Sequence, residues 1–412
     1  MLVIRSANNA ILTTKTLMRK IATFLSRAWR PAVLLLSLGL IAYLLYFHHL
    51  GRLLPGYAST EVQNYQDSLT WQQIAHNPLD LPYKTAILLL SVLGYHHLVA
   101  ARAVAASFGV LTVVIFFCIA RAWYGLRVGF MGTVLFATSA GFLHLARLGS
   151  PQILQMGILA LFGVLLWHRR SPRGHPYLTY LVALTFGLLC YVPGMIWFEL
   201  LAIGLMYRRG LHHWQESTVL QRIIVTAIPL ILIAPLAVAT VMRPGLAFSL
   251  LGLPNSLHNL TYFGGHLLDA VLSIGVRSDG SSLLWVGHSP LLNAVELVLA
   301  ALGIYYYVYQ KRSLRSLLLC LGLVMSLVLV GLHSGVGIAT VVPLLYLLIT
   351  CGLNHFLNEW LTVFPRNPIA RVTGIVVICL MLFFSAFYQM RSYFVAWPHN
   401  TETHQRFQYP PS

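Results

Sequence analysis

Apolar runs follow one another along almost the whole chain, separated by short polar joints. They cover roughly 31–47, 98–120, 126–146, 151–167, 176–192, 193–207, 222–241, 291–309, 316–333, 338–356 and 371–390. Such runs, nearly free of charge, mark helices in a bilayer, where a full crossing takes about 20 apolar residues. Several runs fall short of that length, so tilted spans or half-helices are expected among them. The period-2 alternation of a membrane β-barrel is absent. The pattern therefore predicts an all-α, polytopic transmembrane protein of about 11 spans.

Two long polar passages interrupt the series, at 48–84 and 242–290. In the first, 62–75 has the spacing of a short amphipathic helix with Trp71 and Ile74 on its apolar side. The segment 85–93 is apolar but too short to span, which predicts a helix lying at the interface. Pro193-Gly194 parts two apolar runs with almost no loop. Beyond the last run only residues 391–412 remain, so no soluble domain is expected there.

Composition narrows the class. Of 412 residues, 58% are hydrophobic and 9% charged, against about a quarter charged in soluble proteins. A net charge of +17 raises the question of nucleic acid. The placement of the charge answers it, because the basic residues cluster in the joints between apolar runs. Residues 1–30 carry six Lys and Arg and no acid, and read as a cytoplasmic basic tail. With that tail inside, 19 of the 27 Lys and Arg fall on the cytoplasmic side. The expected organisation is a tail (1–30), a transmembrane domain (31–390) and a short non-cytoplasmic tail (391–412). Both polar passages then lie outside. The five cysteines form no CxxC pair and read as small packing residues.

The outer passages concentrate the candidate chemistry. They hold Glu61, Asp67, Asp80, Asp269 and Asp279, half of the ten acids in the chain. Glu61 stands at a helix start, where it is either a general base facing a cavity or an acid favoured by the helix dipole. Arg102 and Arg147 fall at the outer ends of two spans. They either snorkel to lipid headgroups or clamp a phosphate, with Lys84 as an added point charge. His48/His49 and His96/His97 are adjacent pairs without metal-ligand spacing, so no metal is expected.

From Tyr57 to Leu166 the order of motifs resembles the GT-C class of polytopic glycosyltransferases, nearest to the protein O-mannosyltransferases and lipid A aminoarabinose transferases. The matching pieces are Ser59-Thr60-Glu61 with Tyr65, Leu81-Pro82-Tyr83-Lys84-Thr85, Ala100-Ala101-Arg102 and His144-Leu-Ala-Arg147-Leu-Gly-Ser150-Pro151. Arg277-Ser-Asp279-Gly280 is similar to the family's late outer loop.

The resemblance implies a multi-pass enzyme of the cell envelope, in the bacterial inner membrane, that moves a sugar from a polyprenyl-phosphate donor to an acceptor hydroxyl. It implies Glu61 and Asp67 as catalytic acids, and Lys84, Arg102, Arg147 and Arg277 around the lipid phosphate. Tyr57, Thr60, Tyr65, His96, Gln152 and Asp279 would line the substrate cavity. The expected partners are a lipid-linked sugar donor, a glycan, lipid or protein acceptor, and membrane lipids; no cofactor and no nucleic acid are expected.

Two departures matter. Thr60 stands where the family has the first acid of its Asp-Glu pair, and Gln152 where an acid follows Arg147. Neither side chain ionises near neutrality. They favour an alternative, a catalytically inactive member that binds a lipid-linked sugar or scaffolds envelope assembly. A transporter or flippase is disfavoured, since only Glu199 and Glu296 lie within apolar runs.

Overall fold

The computed structural model describes residues 33, 36–54, 56–170, 176–254, 262–277, 289–309 and 314–409. The chain divides into two units, Met1–His48 and His49–Ser412. In the first, the described residues form one apolar helix, α1 (Leu36–Phe47). The second holds everything that follows.

Among the described residues every regular element is helical, as the apolar pattern predicts. The first polar passage is not a loop but two short helices, α2 (Ser59–Gln66) and α3 (Trp71–His76), leading into α4 (Leu81–Val92). Thr70 starts α3 by accepting from the Gln73 N–H, while the Gln73 side chain accepts from the Thr70 N–H. That reciprocal cap splits the amphipathic stretch in two. Ile74 is buried as expected, whereas Trp71 is exposed, because the break turns it off the apolar face.

The helices α5 (Val99–Tyr124), α11 (Val219–Met242), the segment Ile338–Val363 containing α16 (Val342–Val363), and α17 (Pro368–Arg391) with its continuation to Ala396 are long and apolar enough to cross a membrane. At 1.5 Å per residue, the 26 residues of α5 extend about 39 Å, more than a bilayer core. A fifth crossing arises if α6 (Leu126–Thr138) and α7 (Ala140–Arg147) count together, although they bend by 62° at Ser139. The other predicted runs form helices with shorter apolar stretches: α8 (Ile158–Arg170), α9 (Pro176–Leu189), α10 (Met195–Glu216, apolar to Tyr207), α14 (Ala294–Tyr309) and α15 (Leu314–Gly331). The stretch 242–290, expected as loop, carries α12 (Pro244–Leu251) and α13 (Phe263–Gly275). A last short helix, α18 (Thr401–Arg406), follows α17.

The core sits around α16, whose first half is wholly buried against α14, α6 and α5. Helix backbones meet there without side chains between them. A Cβ on Gly352 would lie 1.8 Å from the Leu299 carbonyl oxygen, and one on Gly303 would lie 2.2 Å from that of Leu348. Small residues bring membrane helices into such close dispersion contact when no hydrophobic force separates helix from lipid. By contrast, α11 buries only Leu236 and leaves about half of its residues exposed, as a helix with one face to lipid would. Glu296 of α14, without an evident partner in sequence, accepts from the Tyr346 hydroxyl at 3.1 Å and the Gln389 amide at 2.8 Å.

Candidate functional site

Two neighbouring structures arise from the first polar passage: a buried ionic knot and an open polar cavity. The short helix α2 divides them. Glu61 and Tyr65 of α2, and Ser68 just after it, are buried, while Thr60, Gln63 and Asn64 of α2 and its C-cap Asp67 share another face and line the cavity.

The knot joins Glu61 to Arg102. Arg102 Nε donates to Glu61 Oε1 and Nη2 to Oε2, both at 2.8 Å. The carboxylate also accepts from the backbone N–H of Gly149 at 2.7 Å and of Ala58 at 3.0 Å. Arg102 spends its further donors on the carbonyls of Gly56 at 2.9 Å and Leu50 at 3.1 Å, and its guanidinium lies 4.1 Å above the Tyr57 ring. Each partner is 1% exposed.

Four hydrogen bonds fill the capacity of a carboxylate. Glu61 therefore offers no lone pair to a substrate, and Arg102 is committed to protein oxygens rather than to a phosphate. Tyr57 and Tyr65 are buried with the knot and do not line the cavity. Arg147 is also buried, with its guanidinium 5.2 Å from the Phe394 ring centre. The three groups Glu61, Arg102 and Arg147 thus gather on the inner side of α2, in packed protein.

The cavity has a volume of about 540 Å³. Its walls come from α2, the 77–80 turn, the 150–155 segment, Pro193, the end of α12 and the turn after α15 at 333–335. Of the residues predicted for a site, it contains Thr60, Asp67 and Gln152. His96 is exposed in the turn between α4 and α5, away from these walls. Arg277 is exposed and paired with Asp269 on α13, outside the cavity. Asp279 lies outside the described residues.

Asp80 is the cavity acid most tightly held. Its backbone is left-handed, with φ 59°, a conformation that Asp tolerates better than most residues. Its N–H donates to the Tyr191 carbonyl at 2.8 Å, and its neighbours Leu79 and Leu81 pack on the buried cluster of Tyr191, Leu236 and Leu250. Burial raises its carboxyl from the ordinary 3.8 to about 7, against the opposing pull of Lys84. One turn along α4, Lys84 is buried behind the wall and donates from Nζ to the Asn77 carbonyl at 2.7 Å. Desolvation lowers its affinity for a proton, and Asp80 and Asp67 raise it. Among the described residues no group of three or more His, Cys, Asp and Glu could hold a metal ion.

Sequence reasoning missed Gln63, Asn64, Asn77, Gln155, Ser249, His333 and Ser334 as cavity residues, and ranked Asp80 behind Glu61 and Asp67. For Gln63 and Asn64 the signal existed: Thr60, Gln63, Asn64 and Asp67 fall at i, i+3, i+4 and i+7, a polar stripe on one helix face. The others come from distant segments and leave no local mark.

No family model and no curated protein sequence matches the chain. Among solved structures, the chain is similar to the crystal structure of ArnT from Cupriavidus metallidurans bound to undecaprenyl phosphate. The TM-score is 0.53 at 12% identity, over 92% of this chain and 76% of that one. The same protein in its apo state gives 0.49 at 13% identity, with the same coverage. The likeness is one of fold: this chain has a GT-C-type architecture and is an integral membrane protein.

Proposed function

We propose that this protein is a membrane glycosyltransferase that moves a sugar from a polyprenyl-phosphate donor to an acceptor hydroxyl on the non-cytoplasmic side. The observation that carries the reading is Asp80, a carboxyl raised to about 7 in the wall of a polar cavity of about 540 Å³. A general base works best with a pKa near the operating pH. The fold adds support, since the similar structure is of a protein bound to undecaprenyl phosphate.

In this scheme Asp80 takes the proton of the acceptor hydroxyl as that oxygen attacks the anomeric carbon. The bond from that carbon to the phosphate oxygen breaks, and the lipid phosphate leaves with the electron pair. Lys84, four residues along the same helix, offsets the charge that develops on the phosphate. Asp67, half-buried in the same lining, orients the acceptor. Glu61 and Arg102 act on neither substrate; they hold the inner face of α2, so that its polar stripe stays turned to the cavity. The acceptor is a glycan, lipid or protein of the cell envelope. The site belongs to a bacterial inner-membrane protein with its amino terminus in the cytoplasm.

One specific observation favours a second reading. With Glu61 consumed by Arg102, and with Thr60 and Gln152 neutral, the cavity lacks acids where the resembling family has them. A non-catalytic protein that binds a lipid-linked sugar would look the same. Transfer of radiolabelled sugar from synthetic polyprenyl-phosphate mannose to envelope acceptors separates the two. The enzyme reading expects transfer by purified wild-type protein and its loss in Asp80→Asn. Failure of both proteins, with lipid binding intact, would leave the binding reading in its place.

A further inference from the structure

A second cavity, of about 400 Å³, lies among α8, α9, α10 and α11 and shares no lining residue with the first. Its volume falls within the about 300–1,000 Å³ that small-ligand sites take. Only Ser217-Thr218 joins α10 to α11, yet α11 packs chiefly on α9 and α10 on α8. The cleft left between the two helices is completed by side chains of α8 and α9. Its ends differ in chemistry. Leu165, Val182, Phe186 and Ile203 present hydrocarbon alone, whereas Trp214, Ser217, Gln221 and Arg222 line the end at the α10–α11 joint. Trp214 and Ile203 share one continuous helix and stand about 17 Å apart along its axis at 1.5 Å per residue. A slot that is apolar at one end and polar at the other fits an amphiphile.

The polar end carries an unbalanced positive charge. Among the described residues Arg222 is the one charged group in the lining, and it pairs with no acid. Its guanidinium stands 5.9 Å from the Trp214 ring centre, and Nη2 donates to the Gln215 carbonyl at 2.9 Å. Gln221 spends its amide oxygen on the Thr218 N–H at 3.1 Å, which leaves its amide nitrogen as a donor at the same end. The surrounding joint is basic in sequence, with Arg208 and Arg209 ahead of Arg222; its acid, Glu216, is exposed and outside the lining. Trp214 and Tyr207 are exposed beside it, the amphipathic rings that a membrane interface favours. Basic pockets between membrane helices are the setting in which anionic headgroups are held.

We propose that the cleft between α10 and α11 holds an anionic phospholipid. One acyl chain lies against Leu165, Phe186 and Ile203, and the phosphodiester takes hydrogen bonds from Arg222 and the Gln221 amide. A phosphodiester carries one negative charge, which one guanidinium matches; a phosphomonoester, with about 1.5 to 2 charges, would be left partly uncompensated. A zwitterionic lipid brings its own cation to the phosphate and gains less from Arg222. The site takes a resident membrane lipid, apart from the cavity of Asp80, and stands whether or not the protein transfers a sugar.

The test uses the full-length protein in phosphatidylcholine nanodiscs doped with one of two probes, phosphatidylglycerol or phosphatidylcholine with a diazirine on an acyl chain. Illumination fixes each probe where its chain lies, and peptide mass spectrometry locates it. Label on segments 182–186 and 202–207 is expected to be about fivefold higher for phosphatidylglycerol, the gain that one basic side chain near a bilayer surface gives. Arg222→Met should bring it down to the phosphatidylcholine level, and Arg222→Lys should keep most of it. The exposed side of α17, at Phe383 and Phe387, should take both probes alike in every protein, which shows that each variant is folded and inserted. Unlabelled phosphatidylglycerol should compete at the cleft, and decaprenyl phosphate at the same mole fraction should not. Equal labelling by the two probes in wild type, or an undiminished preference in Arg222→Met, overturns the proposal. Displacement by decaprenyl phosphate overturns it as well, since the cleft would then belong to the carrier lipid.

Discussion

Glu61 and Arg102 grip each other through two parallel hydrogen bonds of 2.8 Å, 41 residues apart in sequence and 1% exposed at both ends. The pair bolts the first helix of the polar passage to the start of α5. Desolvating two charges is costly, and the planar fork together with the added backbone bonds offsets that cost. The carboxylate is a fastening, and its loss should register first as instability.

Glu61→Gln or Arg102→Met is expected to destabilise the fold by about 3–5 kcal/mol, because either leaves a buried charge without its partner. The double variant should lose clearly less than the sum of the two single losses. Thermal unfolding in detergent, arranged as a double-mutant cycle, checks this. Strict additivity would mean that the two side chains do not act together.

Asp80 should govern the pH profile. Its carboxyl must be ionised to act as base, so kcat/KM should rise with pH through about 7 and level off above it. Stability should run the other way. Between the ordinary 3.8 and about 7 the folded protein holds a proton that the unfolded chain has released, so stability falls as pH rises through that window. Asp80→Asn should flatten the stability profile and cut transfer about 100-fold or more. A wild-type rate that is flat from pH 5 to 9 would remove Asp80 from the reaction.

Lys84→Met should weaken binding of bare decaprenyl phosphate by about threefold, as loss of one charge acting from behind the cavity wall would. It also frees the Asn77 carbonyl in the cavity wall. Lys84→Arg should restore part of the binding. Nanodisc titration measures both, and an unchanged affinity in Lys84→Met would place the phosphate elsewhere.

Arg277→Ala should change little. Its partner Asp269 is as exposed as itself, and such pairs contribute about 0–1 kcal/mol. Both unfolding temperature and donor affinity should stay within error of wild type. A tenfold loss of affinity would show that this arginine reaches the donor after all.

The helical layout was legible because apolar runs announce themselves. The tight joint at Pro193-Gly194 was legible too, its glycine taking φ 77°, whereas the serine-capped break at Ser139 falls inside a run read as one span. Span counting was less secure, since runs such as 176–192 yield helices too short to cross unaided. Glu61 and Arg102 stood out as unusual charges, but sequence carries no sign that they meet. Whether a carboxylate faces substrate or a guanidinium depends on a contact 41 residues away, and no periodicity encodes that. Asp80 was hidden differently. What distinguishes it is a left-handed backbone pinned by Tyr191, and both facts belong to tertiary structure.

The backbone bridge between Tyr57 and Tyr409 closes a loop of long reach. Tyr57 donates to the Tyr409 carbonyl at 2.8 Å and accepts from its N–H at 3.2 Å, while Gly56 lies so close that a Cβ there would stand 2.2 Å from the Tyr409 oxygen. The strand-like contact sits one residue from Ala58, which itself holds Glu61. Tyr57 therefore cannot take its final seat until the chain has been made as far as Tyr409. Partial translation products would possess every side chain of the cavity walls yet lack the clasp that sets one of them in place.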